Sequence, residues 1–474
     1  MGVDITRKDV IWSYVAKFFL IGSGLVTLPL ILNMLTKEEV GMNYLMLTVG
    51  SIVGLLDFGF SPQFGRNFTY VNSGARSLLK EGVMEESGGE VDWHLLAVLI
   101  KTARYVYTRL SLIALAVMLT FGTAYIWYLT EGFTNVHNSL YIWILYSFST
   151  YFNIYFSYYS SLLTGSGMVK EASQAAILSK SAYMLLCVIF LLLDWGLFAV
   201  VAANFIAPFV QRLFCYRVYF TPDLKSRLDG EVTKEEINST FKVIWFNARK
   251  LGINFLGAYA VNKMGMFIIG FFLPLGVIGS YGLLTQLSTI VSGVANTLFV
   301  TFLPKLSNLR VSGRKDELRR TISFTVVTGQ IVMLAGAIAI LFVVPPFLKL
   351  IHSSTELPSI GICALYLLVI ALELNHSEFA SVISTSNRIP YVVPSLVSGG
   401  IIVLLTFIVL KYTAAGLLGV VLVQGIVQAA YNNWRWPLWV FRELEMTVPG
   451  FYSDGFSVLG NKISSVWKSM RKSA

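Results

Sequence analysis

The chain has 474 residues, of which 55% are hydrophobic and only 13% charged, where soluble domains carry roughly 25% charged residues. A mean hydropathy of +0.68 excludes a soluble enzyme or a string of about three soluble domains, the count that length alone would suggest. The net charge of +10 does not indicate nucleic-acid binding, because the basic residues sit between apolar runs instead of on one soluble face.

Runs of about 20 apolar residues are long enough to cross a bilayer as helices. In chain order they predict spans near 10–35, 40–62, 106–129, 139–163, 173–194 and 196–220. A second six follow near 250–272, 278–303, 321–345, 359–384, 391–411 and 414–434. The fifth and sixth are separated by a tight turn at Asp194-Trp195-Gly196. The first run is long and lacks an A-x-A cleavage site, so it reads as an uncleaved helix. Lysine and arginine orient the spans, since cytoplasmic loops retain them. With the N-terminus inside, 26 of the 36 basic residues fall in inside segments, and only Lys37 and Lys349 fall in outside loops. Both termini are therefore expected in the cytoplasm. Beyond Trp436, Ile463, Val466, Trp467 and Met470 share one helical face, with Lys462, Lys468, Arg471 and Lys472 around it. That pattern suits either a helix lying on the anionic inner leaflet or a disordered basic tail. Cys187, Cys215 and Cys363 fall inside spans at unrelated spacings and read as small core residues.

The chain echoes itself at half length. Glu38-Glu39-Val40-Gly41-Met42-Asn43-Tyr44-Leu45 follows the first span, and Gly276-Val277-Ile278-Gly279-Ser280-Tyr281-Gly282-Leu283 follows the seventh. Each leads into a span ending at a proline, Pro62 or Pro304. Six spans per half make the repeats parallel, an arrangement of transporters that rock two bundles around a central site. The expected organisation is an N-terminal lobe over 1–220, a linker over 221–249, a C-terminal lobe over 250–434 and a tail over 435–474.

These residues carry a family resemblance. The run Leu55-Leu56-Asp57-Phe58-Gly59-Phe60-Ser61-Pro62-Gln63-Phe64-Gly65-Arg66-Asn67 resembles the end of the second helix of O-antigen flippases. So does the stretch from Phe267 through Pro274 to Leu284, and Pro304-Lys305-Leu306-Ser307 with Gly313–Leu318 is similar to that family's loop after the eighth helix. Nearly the whole chain resembles polysaccharide flippases of the multidrug/oligosaccharidyl-lipid/polysaccharide exporter superfamily. The resemblance implies an all-α membrane protein with two six-helix lobes in a V shape, working by alternating access. It further implies translocation of undecaprenyl-diphosphate-linked sugar units to the periplasmic leaflet of a bacterial inner membrane. The expected partners are that lipid-linked sugar, membrane lipids and polysaccharide polymerase machinery, with no cofactor and no nucleic acid. A cation-coupled multidrug antiporter of the same superfamily is the alternative. A membrane glycosyltransferase or polymerase would need a constellation of acids or arginines on a large outer loop, and the longest such loop here is 346–358.

Flipping a sugar diphosphate requires a wet, polar and preferably cationic path, so polar and charged residues within spans are the informative ones. Lys17 lies a third of the way into span one, and Lys263 lies mid-span in span seven beside Asn262, with Asn254 one face-repeat earlier. Each lysine either attracts the diphosphate or an acidic sugar, or snorkels to the interface; Arg66 is a third basic candidate. In span four, Tyr146, Ser149, Asn153, Ser157, Ser160 and Thr164 follow steps of three and four, with Tyr151, Tyr155, Tyr158 and Tyr159 around them. This stripe reads as a sugar path or as helix–helix hydrogen bonding. Thr285, Thr289, Ser292 and Asn296 form a smaller counterpart in span eight. For coupling to a proton or sodium gradient, the candidates are Glu373 and Glu378, which flank His376 in span ten, and Asp57, which otherwise braces the inner gate by pairing with a base such as Arg66. A buried hydrogen-bond cluster is the other reading of the span-ten group.

Overall fold

The structure, a computed structural model, describes residues 7–79, 90–262, 264–311, 314–386 and 390–473. Every regular element among them is a helix. The chain divides into two compact units, Met1–Leu256 with Ser353–Thr355, and Gly257–His352 with Glu356–Ala474. The first contains α1 (Arg7–Met34), α2 (Lys37–Gly54), α3 (Phe60–Asn72), α4 (Trp93–Val117), α5 (Thr123–Leu129), α6 (Ser139–Phe156), α7 (Tyr158–Gly165), α8 (Val169–Leu192), α9 (Leu197–Tyr219) and α10 (Pro222–Arg227). Helix α11 (Lys234–Asn262) begins there. The second contains α12 (Met264–Ile269), α13 (Leu275–Val311), α14 (Lys315–Ile338), α15 (Val344–Leu350), α16 (Ile360–Ser384), α17 (Val392–Tyr412), α18 (Gly416–Ala430), α19 (Asn432–Glu443) and α20 (Val448–Ser473).

Among the described residues, eight helical segments are long and apolar enough to cross a membrane. Three of them are composite, one being α2 with a 3-10 turn at Leu55–Asp57. A π turn at Met118–Gly122 joins α4 to α5, and another at Ala339–Val343 joins α14 to α15. The other four expected windows fall on helices that are interrupted, short or only partly described. Span four divides at Ser157 into α6 and α7, and α18 has only 15 residues. Span seven falls on α11 and α12, with residue 263 between them outside the described residues, and α1 is described only in part.

Lipid tails are as apolar as leucine, so helices in a bilayer associate through close packing and hydrogen bonds. Gly165 shows the first device. A Cβ there would sit 2.6 Å from Phe68 Cβ and would collide with the Gly65 carbonyl, so α7 rests directly on the backbone of α3. Around this contact, Phe60, Phe64, Phe68, Leu99, Tyr107, Tyr158, Leu162 and Cys215 form the core of the first unit. Phe299, Leu306, Ile322, Phe379, Trp436 and Phe451 form that of the second. All three cysteines are buried and free.

The turn expected at 194–196 is present, with Asp194 and Gly196 both in left-handed backbone (φ 58° and 55°). It is held by a distant acid. Glu39 closes a capping box with Thr36 at the start of α2, and its Oε1 also accepts the Leu197 N–H at 3.0 Å. One carboxylate thus satisfies orphan amides at two helix starts. Glu39→Ala should lower stability by about 2 kcal/mol, a cap and a charge-assisted bond together. A wild-type melting temperature in detergent for that variant would show that neither contact matters.

The two halves differ where the repeat meets its proline. The second half runs as one helix, Leu275–Val311. In the first half, α2 gives way to a 3-10 turn at Leu55–Asp57, and then Phe58 and Gly59 turn left-handed (φ 44° and 80°) before α3. Phe58 stacks on Trp245 (centroids 5.8 Å apart), and the backbone at Gly252 leaves room for its ring. In the first turn of α11, Glu236 accepts from the Thr233 backbone and hydroxyl and lies 2.7 Å from His94 Nε2. The His94 contact and then the Thr233 bonds pull its carboxyl down to about 2.

The tail is helical as α20, and it packs on α14. A Cβ at Gly455 would lie 2.7 Å from Val327 Cγ2, so the two helices touch closely. The side chains of Ile463, Val466, Trp467 and Met470, which carry the expected amphipathic face, lie outside the described residues.

Candidate functional site

The structure sorts the span-four stripe into two sets. Tyr146 and Ser149 are buried at 6% and 0% exposure. Tyr146 packs on Trp143 and against Gly50, where any side chain would strike its hydroxyl. These two residues join α6 to its neighbours. Asn153, Ser160 and Thr164 are exposed, and Ser157 is half-buried. They continue one face across α6 and α7. Tyr155 stacks on Tyr151 at 6.1 Å, while Phe152 and Phe156 turn the other way, onto Phe209 of α9.

The hydrogen bonds of this face define its chemistry. Ser157 donates to the Ile154 carbonyl at 2.8 Å, Thr164 donates to that of Ser160 at 2.8 Å, and Asn153 Nδ2 donates to that of Ser149 at 3.0 Å. Those donors are spent on their own helix. What the face offers outward is mainly oxygen lone pairs, which accept from sugar hydroxyls and do not attract a diphosphate.

In the second unit, the span-eight stripe and part of the span-ten cluster meet. A cavity of about 340 Å³ is lined by Thr285, Ser288, Thr289 and Ser292 of α13, by Glu373, His376 and Ser377 of α16, and by Gln428 of α18. Asn296 lies beyond it on α13, half-buried. The serine and threonine hydroxyls of the wall donate back to their own helices: Thr285 to Gly282, Ser288 to Leu284, Thr289 to Thr285, Ser292 to Thr289 and Ser377 to Leu374, at 2.7–3.2 Å; Tyr366 adds a phenol hydroxyl. Glu373, 8% exposed, accepts from Gln424 Nε2 at 2.8 Å and also bonds Gln428. Gln428 in turn accepts from Asn432, which reaches Ser398. His376 Nδ1 lies 2.8 Å from Asn433 Oδ1. The cavity is thus a buried acid facing a row of serine and threonine oxygens left free to accept, a chemistry that suits a monovalent cation or a proton better than an anion.

Glu378 does not join it. Five residues from Glu373 is about 140° around a helix, and Glu378 lines a separate groove of about 250 Å³ with Gln330 and Asn375. Asp57 does not pair with Arg66. Tyr107 donates to its Oδ1 at 2.6 Å and the Ser61 amide to its Oδ2 at 3.2 Å, while the exposed Arg66 donates to Gln63 Oε1 at 2.6 Å. Asp57 thereby caps the start of α3. Lys263, and the side chains of Lys17, Asn254 and Asn262, lie outside the described residues.

Sequence reasoning passed over two features. Gln424, Gln428 and Asn432 recur every fourth residue through span twelve, a polar line in an otherwise apolar window and a readable signal. Lys180 lies midway along α8, half-buried, with Nζ 4.4 Å from the Tyr183 ring centroid. Its position in the middle of a span was its signal.

Residues 99–310, from α4 to the end of α13, match the model of a family described as polysaccharide biosynthesis protein. No curated protein matches the chain by sequence. Among solved structures, the lipid II flippase MurJ in an inward closed conformation is similar at a TM-score of 0.64 and 14% identity, over 95% of this chain and 91% of that one. An inward-facing multidrug resistance MATE family transporter of the MOP superfamily gives 0.61 at 14% identity, over 91% and 96%. The MATE multidrug transporter DinF-BH gives 0.58 at 14% identity, over 95% and 97%. At such identities the likeness is one of fold. The chain is thus a multi-pass helical membrane protein with the fold of these structures, and the stretch 99–310, somewhat less than half of it, resembles the polysaccharide biosynthesis family.

Proposed function

We propose that this transporter is a flippase for undecaprenyl-diphosphate-linked oligosaccharide, carrying a surface-polysaccharide repeat unit from the cytoplasmic to the periplasmic leaflet of a bacterial inner membrane. The observation that carries this reading is the face of Asn153, Ser157, Ser160 and Thr164: a line of acceptor oxygens beside tyrosine rings, on helices surrounded by lipid-compatible surface. Sugar hydroxyls match such a line, and a purely apolar drug does not. The family match and the likeness in fold to a lipid II flippase support it. The diphosphate, which this face does not serve, falls to the basic residues Lys17, Lys263 and Arg66. The Glu373–His376 cavity takes the proton or sodium ion that returns the carrier. Polymerase machinery receives the flipped unit.

The reading includes twelve spans in two six-helix lobes, 1–220 and 250–434, with a cytoplasmic linker over 221–249 and a cytoplasmic tail over 435–474. Asp229 and Glu356 are both exposed. Cysteines introduced at these positions should label oppositely with an impermeant thiol reagent in intact cells, with only Glu356→Cys reactive. Labelling of Asp229→Cys from outside would reverse the topology. The function itself is tested in proteoliposomes loaded with an undecaprenyl-diphosphate-linked oligosaccharide. Protein should speed its appearance at the opposite leaflet, read by an impermeant sugar-oxidising or lectin probe. Extrusion of cationic dyes without any effect on the lipid-linked sugar would replace this reading with a multidrug antiporter.

A further inference from the structure

Glu378 is the one acid of α16 that the transport site leaves unused. It is 2% exposed, and its Oε1 accepts no hydrogen bond. The groups around it are all uncharged. From α14 come Gly329, Gln330 and Met333, from α13 the Ala295 carbonyl, and from its own helix Asn375. The two amides occupy each other, Gln330 Nε2 donating to Asn375 Oδ1 at 2.9 Å. The remaining helices packed on α16 send their polar groups elsewhere. Helix α18 brings Gln424 to Glu373, and α19 brings Asn433 to His376 and Glu443 to Arg310. On α16 itself, Glu373 and His376 point to the other cavity.

A buried carboxylate with neither cation nor donor is too costly to persist within a bilayer. Something must neutralise it, and the groove limits what that is. Apart from Glu378, Gln330 and Asn375, its lining is Met333, Leu334, Ala337, Leu341, Ala364, Leu367, Leu368, Ala371 and Leu374. A hard metal cation needs about six oxygen ligands, and these walls cannot supply them. We propose that Glu378 is a proton-binding site, separate from the Glu373 cavity, whose loading governs how α14 packs on α13 and α16.

Binding is the association of one proton with the carboxylate, and release returns it to water. The packing at stake is close: a Cβ at Gly329 would lie 3.2 Å from the Ala295 carbonyl and 3.4 Å from Glu378 Oε1. The neutral acid fits this dry contact. The anion requires water, and water reaches it only if α14 parts from α16 along this groove.

Infrared spectroscopy of the purified protein in lipid nanodiscs tests this without any substrate, so its outcome is independent of the flippase reading. A protonated-carboxyl carbonyl band should bleach as pH is raised. The band should vanish in Glu378→Gln, shift in Glu378→Asp and persist in Glu373→Gln. In parallel, a cysteine at Ala371 should gain more labelling rate with rising pH than the same cysteine in a Glu378→Gln background, where the rise reports thiolate formation alone; the native cysteines are all buried. A titrating carboxyl spectrum unchanged by Glu378→Gln, or an Ala371→Cys labelling profile that is the same in both backgrounds, overturns the proposal.

Discussion

Asn153→Leu should leave the protein folded and remove most of its transport. Asn153 is exposed on α6, so added apolar bulk meets no neighbouring helix. The loss comes from two sugar hydroxyl contacts, at the amide and at the adjacent Ser157, worth about 1 kcal/mol each, or roughly 30-fold in rate together. Ser149→Leu is the matched control. Ser149 has 0% exposure, one turn earlier on the same helix, and forcing three extra carbons into that contact should cost about 1–3 kcal/mol of stability. The expected pattern is therefore normal membrane abundance with lost export for Asn153→Leu, and reduced abundance for Ser149→Leu. Normal export by abundant Asn153→Leu protein would remove the α6–α7 face from the sugar path.

That contrast also marks how far the sequence could be read. The three-and-four spacing of Tyr146, Ser149, Asn153, Ser157, Ser160 and Thr164 correctly placed them along one helical line. Spacing alone does not say which end of the line is covered, because burial of Tyr146 depends on Gly50, nearly a hundred residues away. Apolar windows located the helices well where these are continuous. They failed at local breaks that no proline announces, such as Ser157 between α6 and α7, and Phe58, a phenylalanine in left-handed backbone. The turn at Asp194–Gly196 was legible from its residues, whereas the Glu39 carboxylate that secures it from α2 was not. Glu373 and Glu378 stand close in sequence and suggested one cluster. Helical geometry alone would have separated them, since five residues carry a side chain most of the way to the opposite face. Nearness of Asp57 to Arg66 misled similarly: a tyrosine fifty residues on, Tyr107, takes the carboxylate instead.

On the proposed function, Glu373→Gln is expected to uncouple transport without unfolding the protein. The substituted amide keeps an oxygen for Gln424 Nε2, which now donates to the carboxylate at 2.8 Å, so the buried chain through Gln428, Asn432 and Ser398 stays satisfied. What disappears is the single negative charge of a cavity whose five serine and threonine hydroxyls present acceptors. Without it nothing in that wall favours a cation over water. In proteoliposomes, an imposed proton or sodium gradient should therefore stop accelerating transport, and the rate should fall to its gradient-free value while binding of the lipid-linked sugar is retained. Glu373→Ala behaves differently. It strands the Gln424 amide in a buried site, an unmade bond that costs about 1–3 kcal/mol, so folded protein falls along with coupling. The comparison separates charge from architecture, because a purely structural carboxylate would tolerate glutamine in both assays. Full gradient dependence in Glu373→Gln at normal abundance would exclude this cavity as the coupling site, and the search for the driving ion would then turn to Asp57 and to Glu378.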